Sequence, residues 1–171
     1  DHDPAVDAAA LLNDHYLDRS HNGQEPIRYA HHFRAPVNTG VDSGLDLDGD
    51  GALGGPGDAW GFGHFPGQYG MLVLSRFALH HDQARTFQQF RWSALPGARR
   101  PLHPGGQPFH ADATWGRLRL SSKSHWDLAF NLGDTELHLL AFHPTPPVFD
   151  GPEDRNGRRN YDEIRFWRDY T

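Results

Sequence analysis

An α/β (α+β) fold with long Gly/Pro-rich loops is predicted by three features of the sequence. Trp126, Leu128, Phe130 and Leu132 alternate with Asp127, Ala129 and Asn131. Gly133-Asp134 then turns the chain into a second run, Thr135 to Phe142, which is the pattern of a half-buried antiparallel hairpin. Tyr69 to Ser75 contains Met-Leu-Val-Leu and reads as a buried strand ending at Ser75-Arg76. Asn160 to Tyr170 reads as a helix, with Asp162 and Glu163 in the first turn, Arg165 and Arg168 later, and Ile164 and Trp167 as core anchors.

The other elements are expected as follows. Asp3 caps a helix with Pro4 at its first position, running to about Leu17 behind a stripe of Val6, Ala9, Ala10, Leu12 and Leu17. Ile27 to Phe33 forms a short strand, and Pro36 to Gly67 a long irregular region of the kind that is usually functional or held by a ligand. Ala84 to Phe90 and Arg117 to Leu120 read as further short strands, separated by the punctuated stretch Leu95 to Pro108. The strand from Thr135 to Phe142 is apolar enough, through Leu137, Leu139 and Leu140, to be central in its sheet.

Residues 1–171 suffice for a single domain with a core of its own. Hydrophobic residues make up 37%, with 19 glycines and 13 prolines, which excludes a disordered tail and implies many loops. No segment approaches the roughly 20 apolar residues of a membrane span, and Asp1-His2-Asp3-Pro4 does not read as a signal peptide. Cysteine is absent, so disulfides, thiolate catalysis and cysteine-type zinc sites are excluded. A net charge of −6 argues against broad, charge-driven polyanion binding but leaves room for a local basic cleft.

Four constellations carry possible chemistry. His143 leaves an apolar strand and enters Pro144-Thr145-Pro146-Pro147. The stiff exit fixes the imidazole angle, either for proton donation to a substrate phosphate or as a structural histidine closing a strand. Arg155, Arg158, Arg159 and Asn160 sit in a loop feeding a helix start, where guanidinium forks and N–H groups suit an anion. Asp150, Glu153 and Asp154 equally allow the loop to pair with itself. Ser121 to His125 offers Lys123 and His125 as a phosphate-facing rim, or as a solvated strand start. Asp46, Asp48 and Asp50, interleaved with Leu47 and Gly49 and followed by Asp58, suit either Ca²⁺ or successive Asx turns. The EF-hand pattern is incomplete, because Gly57 stands where the bidentate Glu belongs. Dinucleotide, His-Glu-x-x-His zinc and Gly-x-Ser-x-Gly signatures are missing.

Tyr69 to Phe77, Ser121 to Asp127 and His138 to Trp167 together resemble the endonuclease/exonuclease/phosphatase (DNase I-like) superfamily. Phe65-Pro66-Gly67-Gln68-Tyr69-Gly70 and the run His143 to Gly157 resemble its bacterial, often secreted branch. The resemblance implies a DNase I-like four-layer α/β sandwich and metal-dependent hydrolysis of phosphodiesters or phosphomonoesters. Mg²⁺ or Mn²⁺ would be the catalytic ion and Ca²⁺ a structural one at Asp46 to Asp58. The substrate would be a phosphate ester or nucleic acid, and the location extracellular or periplasmic. It also implies that His143 contacts the scissile phosphate and assists the leaving group, with Asn160 at the entrance of the helix that follows. The family's metal-binding Glu, Gly-Asp-x-Asn and Ser-Asp-His motifs are not in the sequence. The chain is therefore expected to be the central part of such a domain, completed by another chain or fragment and weakly active or inactive alone. The alternative is a non-catalytic, calcium-stabilised binding or structural domain of the same fold.

Overall fold

The computed structural model describes residues 7–171. Its fold is α+β: a three-stranded antiparallel sheet, a two-stranded ribbon and three helices, joined by long bonded loops. The expected Asp3 cap, Pro4 and Val6 lie outside the described residues. The first helix, α1 (Ala8–Leu12), is instead capped by Asp7, whose side chain accepts from the N–H groups of Ala9 and Ala10 at 3.0 and 3.3 Å. A π-helical turn over Asn13–Leu17 continues it to the expected end.

The ribbon pairs β1 (His31–Phe33) with β2 (Val73–Ser75). Both strands are shorter than expected, and β2 is half-buried where a buried strand was expected. In the larger sheet β3 (Arg85–Thr86), β4 (His125–Asn131) and β5 (Glu136–Phe142) run in spatial order, with Trp126 opposite Ala141 and Leu128 opposite Leu139. The hairpin is thus where alternation put it, but the burial of its strands is reversed. β4 is buried on both faces, whereas β5 is the edge strand and leaves Leu137 and Leu139 exposed. Arg117 to Leu120 does not become a strand: Arg117 lies in the turn after the preceding helix, and the segment makes a single bridge between Arg91 and Arg119. The short helix α2 (Asp112–Trp115) just before it had no signal in the pattern.

Burial of β4 on two faces has a simple cause. One face carries Trp126, Leu128 and Phe130, packed with Phe33 and Val37 on the ribbon side; Phe33 meets Trp126 edge-on at 5.0 Å. The opposite face carries His125, packed against Phe142, Phe166 and Trp167. Phe166 and Trp167 belong to α3 (Arg155–Tyr170), which continues the second core with Trp60, Trp92, Leu118 and Leu120. Helix, sheet and ribbon are therefore layered, with β4 in the middle.

Helix α3 begins five residues before the expected start, so Asp162 and Glu163 lie in its interior and not in its first turn. Both are fully buried, while the expected anchor Ile164 is 52% exposed. Asp162 accepts from the Trp92 indole at 2.7 Å and the Arg99 N–H at 2.6 Å, and holds Arg165 as an ion pair. Glu163 accepts from the N–H of Ser122 at 2.8 Å and of Thr145 at 2.6 Å, which ties the approach to β4 and the exit from β5 to one carboxylate. Burial pushes the Glu163 pKa up, against the pull of nearby Arg159 and of those two donors. Replacing Glu163 with Ala leaves two buried N–H groups without their acceptor and removes the charge that offsets the buried Arg159 guanidinium. The expected loss is about 3–5 kcal/mol of stability, read by denaturant melts; a loss under about 1 kcal/mol would show that the carboxylate is dispensable.

Candidate functional site

A cleft of about 880 Å³ opens where these anchored segments meet, within the size range of small-ligand sites. Its walls come from the approach to β4 (Ser122, Lys123), the exit from β5 (His143, Thr145), the start of α3 (Arg155, Arg159) and the long loop carrying Thr39, Asp48 and Asp50. Protein contacts brace the Pro36 to Gly67 region. Buried Asn38 donates to the carbonyls of Gln88 and Ser121, both at 2.7 Å, and accepts from Arg119 at 2.6 Å. Gly61 lies so close to the Ser122 carbonyl that any Cβ would collide with it, and this contact brings the loop against the cleft floor.

His143 is exposed on the cleft wall. Partial burial and then the nearby Lys123 charge hold its pKa below the usual imidazole value. Lys123 was expected either as a phosphate-facing rim or as a solvated lysine. Its residue is only 8% exposed, and among the described residues its ammonium makes no ion pair or hydrogen bond. Desolvation, and secondarily Arg159, pushes its pKa down despite the attraction of Glu163. The hydroxyls of Thr39 and Ser122 are buried on the same walls without partners among the described residues. A desolvated cation beside unmatched donors is an arrangement that an anion completes.

The other sequence candidates divide. Arg155 lines the cleft, donating to the Asp48 carbonyl and pairing with Glu153, both at 3.2 Å. Arg158 turns away to the Arg100 carbonyl at 3.0 Å and toward Asp154. Arg159 adds positive potential, but its guanidinium donates to the carbonyls of Trp60, Arg119 and Leu120. Helix α3 does not offer its N-terminus to a ligand, because Asp150 accepts from the N–H groups of Asn156 and Gly157. Asn160 does not line the cleft; it donates to the Thr145 carbonyl at 2.7 Å and so braces the loop after His143. His125, expected on the rim, is 1% exposed and donates to the Glu163 carbonyl at 2.9 Å, which removes it from any ligand.

Asp46, Asp48 and Asp50 each bring one carboxylate oxygen within 4.8 Å of the others, while Asp58 stays apart, buried and accepting from the Leu47 N–H at 2.7 Å. The Asx turns are present as well: Asp46 accepts from Gly49 and Gly51, and Asp50 from Ala52. Three hard oxygen donors suit Ca²⁺. For a catalytic Mg²⁺ or Mn²⁺ beside His143 the donor set does not fit, since among the described residues the carboxylates lining the cleft are Asp48 and Asp50, on the long loop.

Comparison with protein-family models, curated proteins and solved structures finds no match. No helix among the described residues is long and apolar enough to cross a membrane.

Sequence reading missed two residues of consequence. Glu163 was assigned to the helix dipole, although its i, i+4 spacing from Trp167 puts both on one buried face. His110 lines the cleft from a stretch without periodicity. Burial first, then Arg155, Arg159 and Arg100, push its pKa down to about 4. His125 is likewise pushed down to about 4, chiefly by burial.

Both histidines stay neutral in the folded state, where the unfolded chain would protonate near its ordinary value. Their contribution to stability is complete above about pH 6.5 and is lost as pH falls toward about 4. His125 alone accounts for a loss on the order of 3 kcal/mol over that window. Denaturant melts at several pH values check this, and His125→Phe is expected to flatten the slope by that share. For Lys123, substitution by Met is expected to leave the melting temperature unchanged or higher while lowering inorganic phosphate affinity about tenfold to a hundredfold. A destabilised variant with intact phosphate binding would assign the lysine to structure alone.

Proposed function

We propose that the cleft is the phosphate-binding, leaving-group side of a metal-dependent phosphoesterase site of the DNase I-like superfamily, in its bacterial secreted branch. The observation that carries this reading is the meeting of His143, at a strand exit, with the desolvated and unpaired Lys123 in one cleft. A phosphate oxygen would take the Lys123 ammonium and the Ser122 or Thr39 hydroxyl, with Arg155 and Arg159 adding positive potential. His143 would then stand beside the ester oxygen. A bound phosphate raises its depressed pKa and loads the proton that the departing oxygen needs.

Mg²⁺ or Mn²⁺ is the cofactor of this reading, and its ligands are not supplied by the walls of the cleft. Such an ion would neutralise the phosphate when bound. The residues described here bind, orient and hold a proton. The layered helix, sheet and ribbon agree with part of a four-layer sandwich, and the exposed Leu137 and Leu139 on edge strand β5 suit pairing with further polypeptide. An extracellular or periplasmic setting goes with the same reading.

The second reading, a calcium-stabilised binding domain without chemistry, is favoured by the convergence of Asp46, Asp48 and Asp50. Titration with inorganic phosphate, followed by the His143 imidazole signals in NMR, separates the two. The phosphoesterase reading expects these signals to shift and the His143 pKa to rise. It also expects turnover of bis(p-nitrophenyl) phosphate to be very low and to vanish in His143→Ala. Silence of His143 at millimolar phosphate, or turnover that survives the substitution, overturns it. A calcium-induced rise in melting temperature, lost in Asp48→Asn and accompanied by no phosphate binding, favours the second reading.

A further inference from the structure

The mouth of the cleft is aromatic. Phe62, Tyr69 and Phe149 all line it, and they are 58%, 58% and 87% exposed. Large apolar rings left in water around a cationic floor need a reason, and the backbone makes the need sharper. Tyr69 has φ +57° and Phe149 φ +65°, left-handed conformations that bulky residues rarely adopt and that glycine would take without strain. Two of the four non-glycine residues with positive φ among the described residues thus present rings at this one opening. Strain of this kind collects at ligand-binding sites.

Neither ring hangs from a loose loop. Phe149 is bracketed by Thr145, whose N–H is held by Glu163, and by Asp150, which caps α3; Asn156 donates to the Val148 carbonyl at 2.7 Å. Tyr69 sits inside a turn closed by the Gly70 N–H on the Gly67 carbonyl at 3.0 Å. The Gly67 N–H in turn reaches the carbonyl of Thr39, a residue of the cleft wall, at 3.1 Å. The rings are held out toward solvent from fixed points on opposite segments of the chain.

We infer that Tyr69 and Phe149 form a stacking clamp for a planar heteroaromatic group attached to the bound phosphate, so that the substrate class is nucleotide-type phosphate esters with an unpaired base. This rests on the phosphate reading of the cleft and adds the recognition of what the phosphate carries. Stacking on exposed rings accepts any base through its π-face, and the cationic floor takes the phosphate at the other end. Two properties favour a single nucleotide or a frayed end over a duplex. The net charge of −6 supplies little attraction for a long polyanion, and a base in a paired helix has no free face to offer.

The test compares three probes on the full chain by calorimetry: inorganic phosphate, ribose 5-phosphate and adenosine 5′-monophosphate. The nucleotide is expected to bind at least tenfold tighter than the sugar phosphate. In the double variant Tyr69→Gly, Phe149→Gly this advantage is expected to disappear, with inorganic phosphate affinity kept within twofold. Glycine relieves the left-handed backbone, so the variant should melt no lower than the native chain, and unfolding does not confound the result. Equal binding of nucleotide and sugar phosphate, or an advantage that persists in the double variant, overturns the clamp and leaves the phosphate site standing. Failure of all three probes to bind overturns both.

Discussion

The Glu163 carboxylate carries the geometry of this protein. It is fully buried on α3, and each of its oxygens takes one backbone N–H, from Ser122 just before β4 and from Thr145 just after β5. Those two segments leave the same end of the hairpin, where His125 is paired with Phe142. A single carboxylate, desolvated and drawn to Arg159, ties both of them to the helix. The carbonyl of the same residue receives His125, so the strand, its exit and the helix are joined at one point. Lys123 directly follows Ser122 and His143 lies two residues before Thr145, so the hairpin register and the Glu163 contacts together bring them to one cleft.

The chain otherwise has little regular structure with which to fix a site. The large sheet has one hairpin of two seven-residue strands and a two-residue third strand, and the long loops obtain their rigidity from buried side chains that act as acceptors and donors for backbone. Asn38 serves the region after β1, Asp162 the stretch from Trp92 to Arg99, and Asp58 the acidic loop. This is the accounting that buried backbone demands when no strand or helix partner is available. It also explains why Gly and Pro are abundant without the chain being disordered.

Charge in the cleft is arranged by depth. The cations Lys123 and Arg159 lie at the floor and are depressed in pKa by burial, His143 stands at the wall, and the carboxylates Asp48 and Asp50 face them from the long loop. The carbonyl of Asp48 accepts from Arg155, so the acidic loop and the cationic side of the cleft are mechanically linked.

Local pattern was enough for the mixed α+β class, for the hairpin from Trp126 to Phe142 and for the position of His143 at its exit, because alternation and turn chemistry act between near neighbours in sequence. It was enough also for the acidic triplet at Asp46, Asp48 and Asp50, whose spacing is itself the geometry. It did not settle which strand is central, since β5 reads as more apolar than β4. Burial on two faces comes from α3 and the ribbon, which lie far away in sequence. The same holds for the site. Lys123 and His125 are two residues apart and would share a face on a strand, yet Lys123 sits in the bend before β4 and lines the cleft while His125, on the strand, packs into the aromatic core. Glu163 and Asn160 look like solvent-facing helix residues until their partners, fifteen to forty-one positions away, are in place. A buried polar group owes its meaning to the donor it meets, and only the folded chain brings that donor to it.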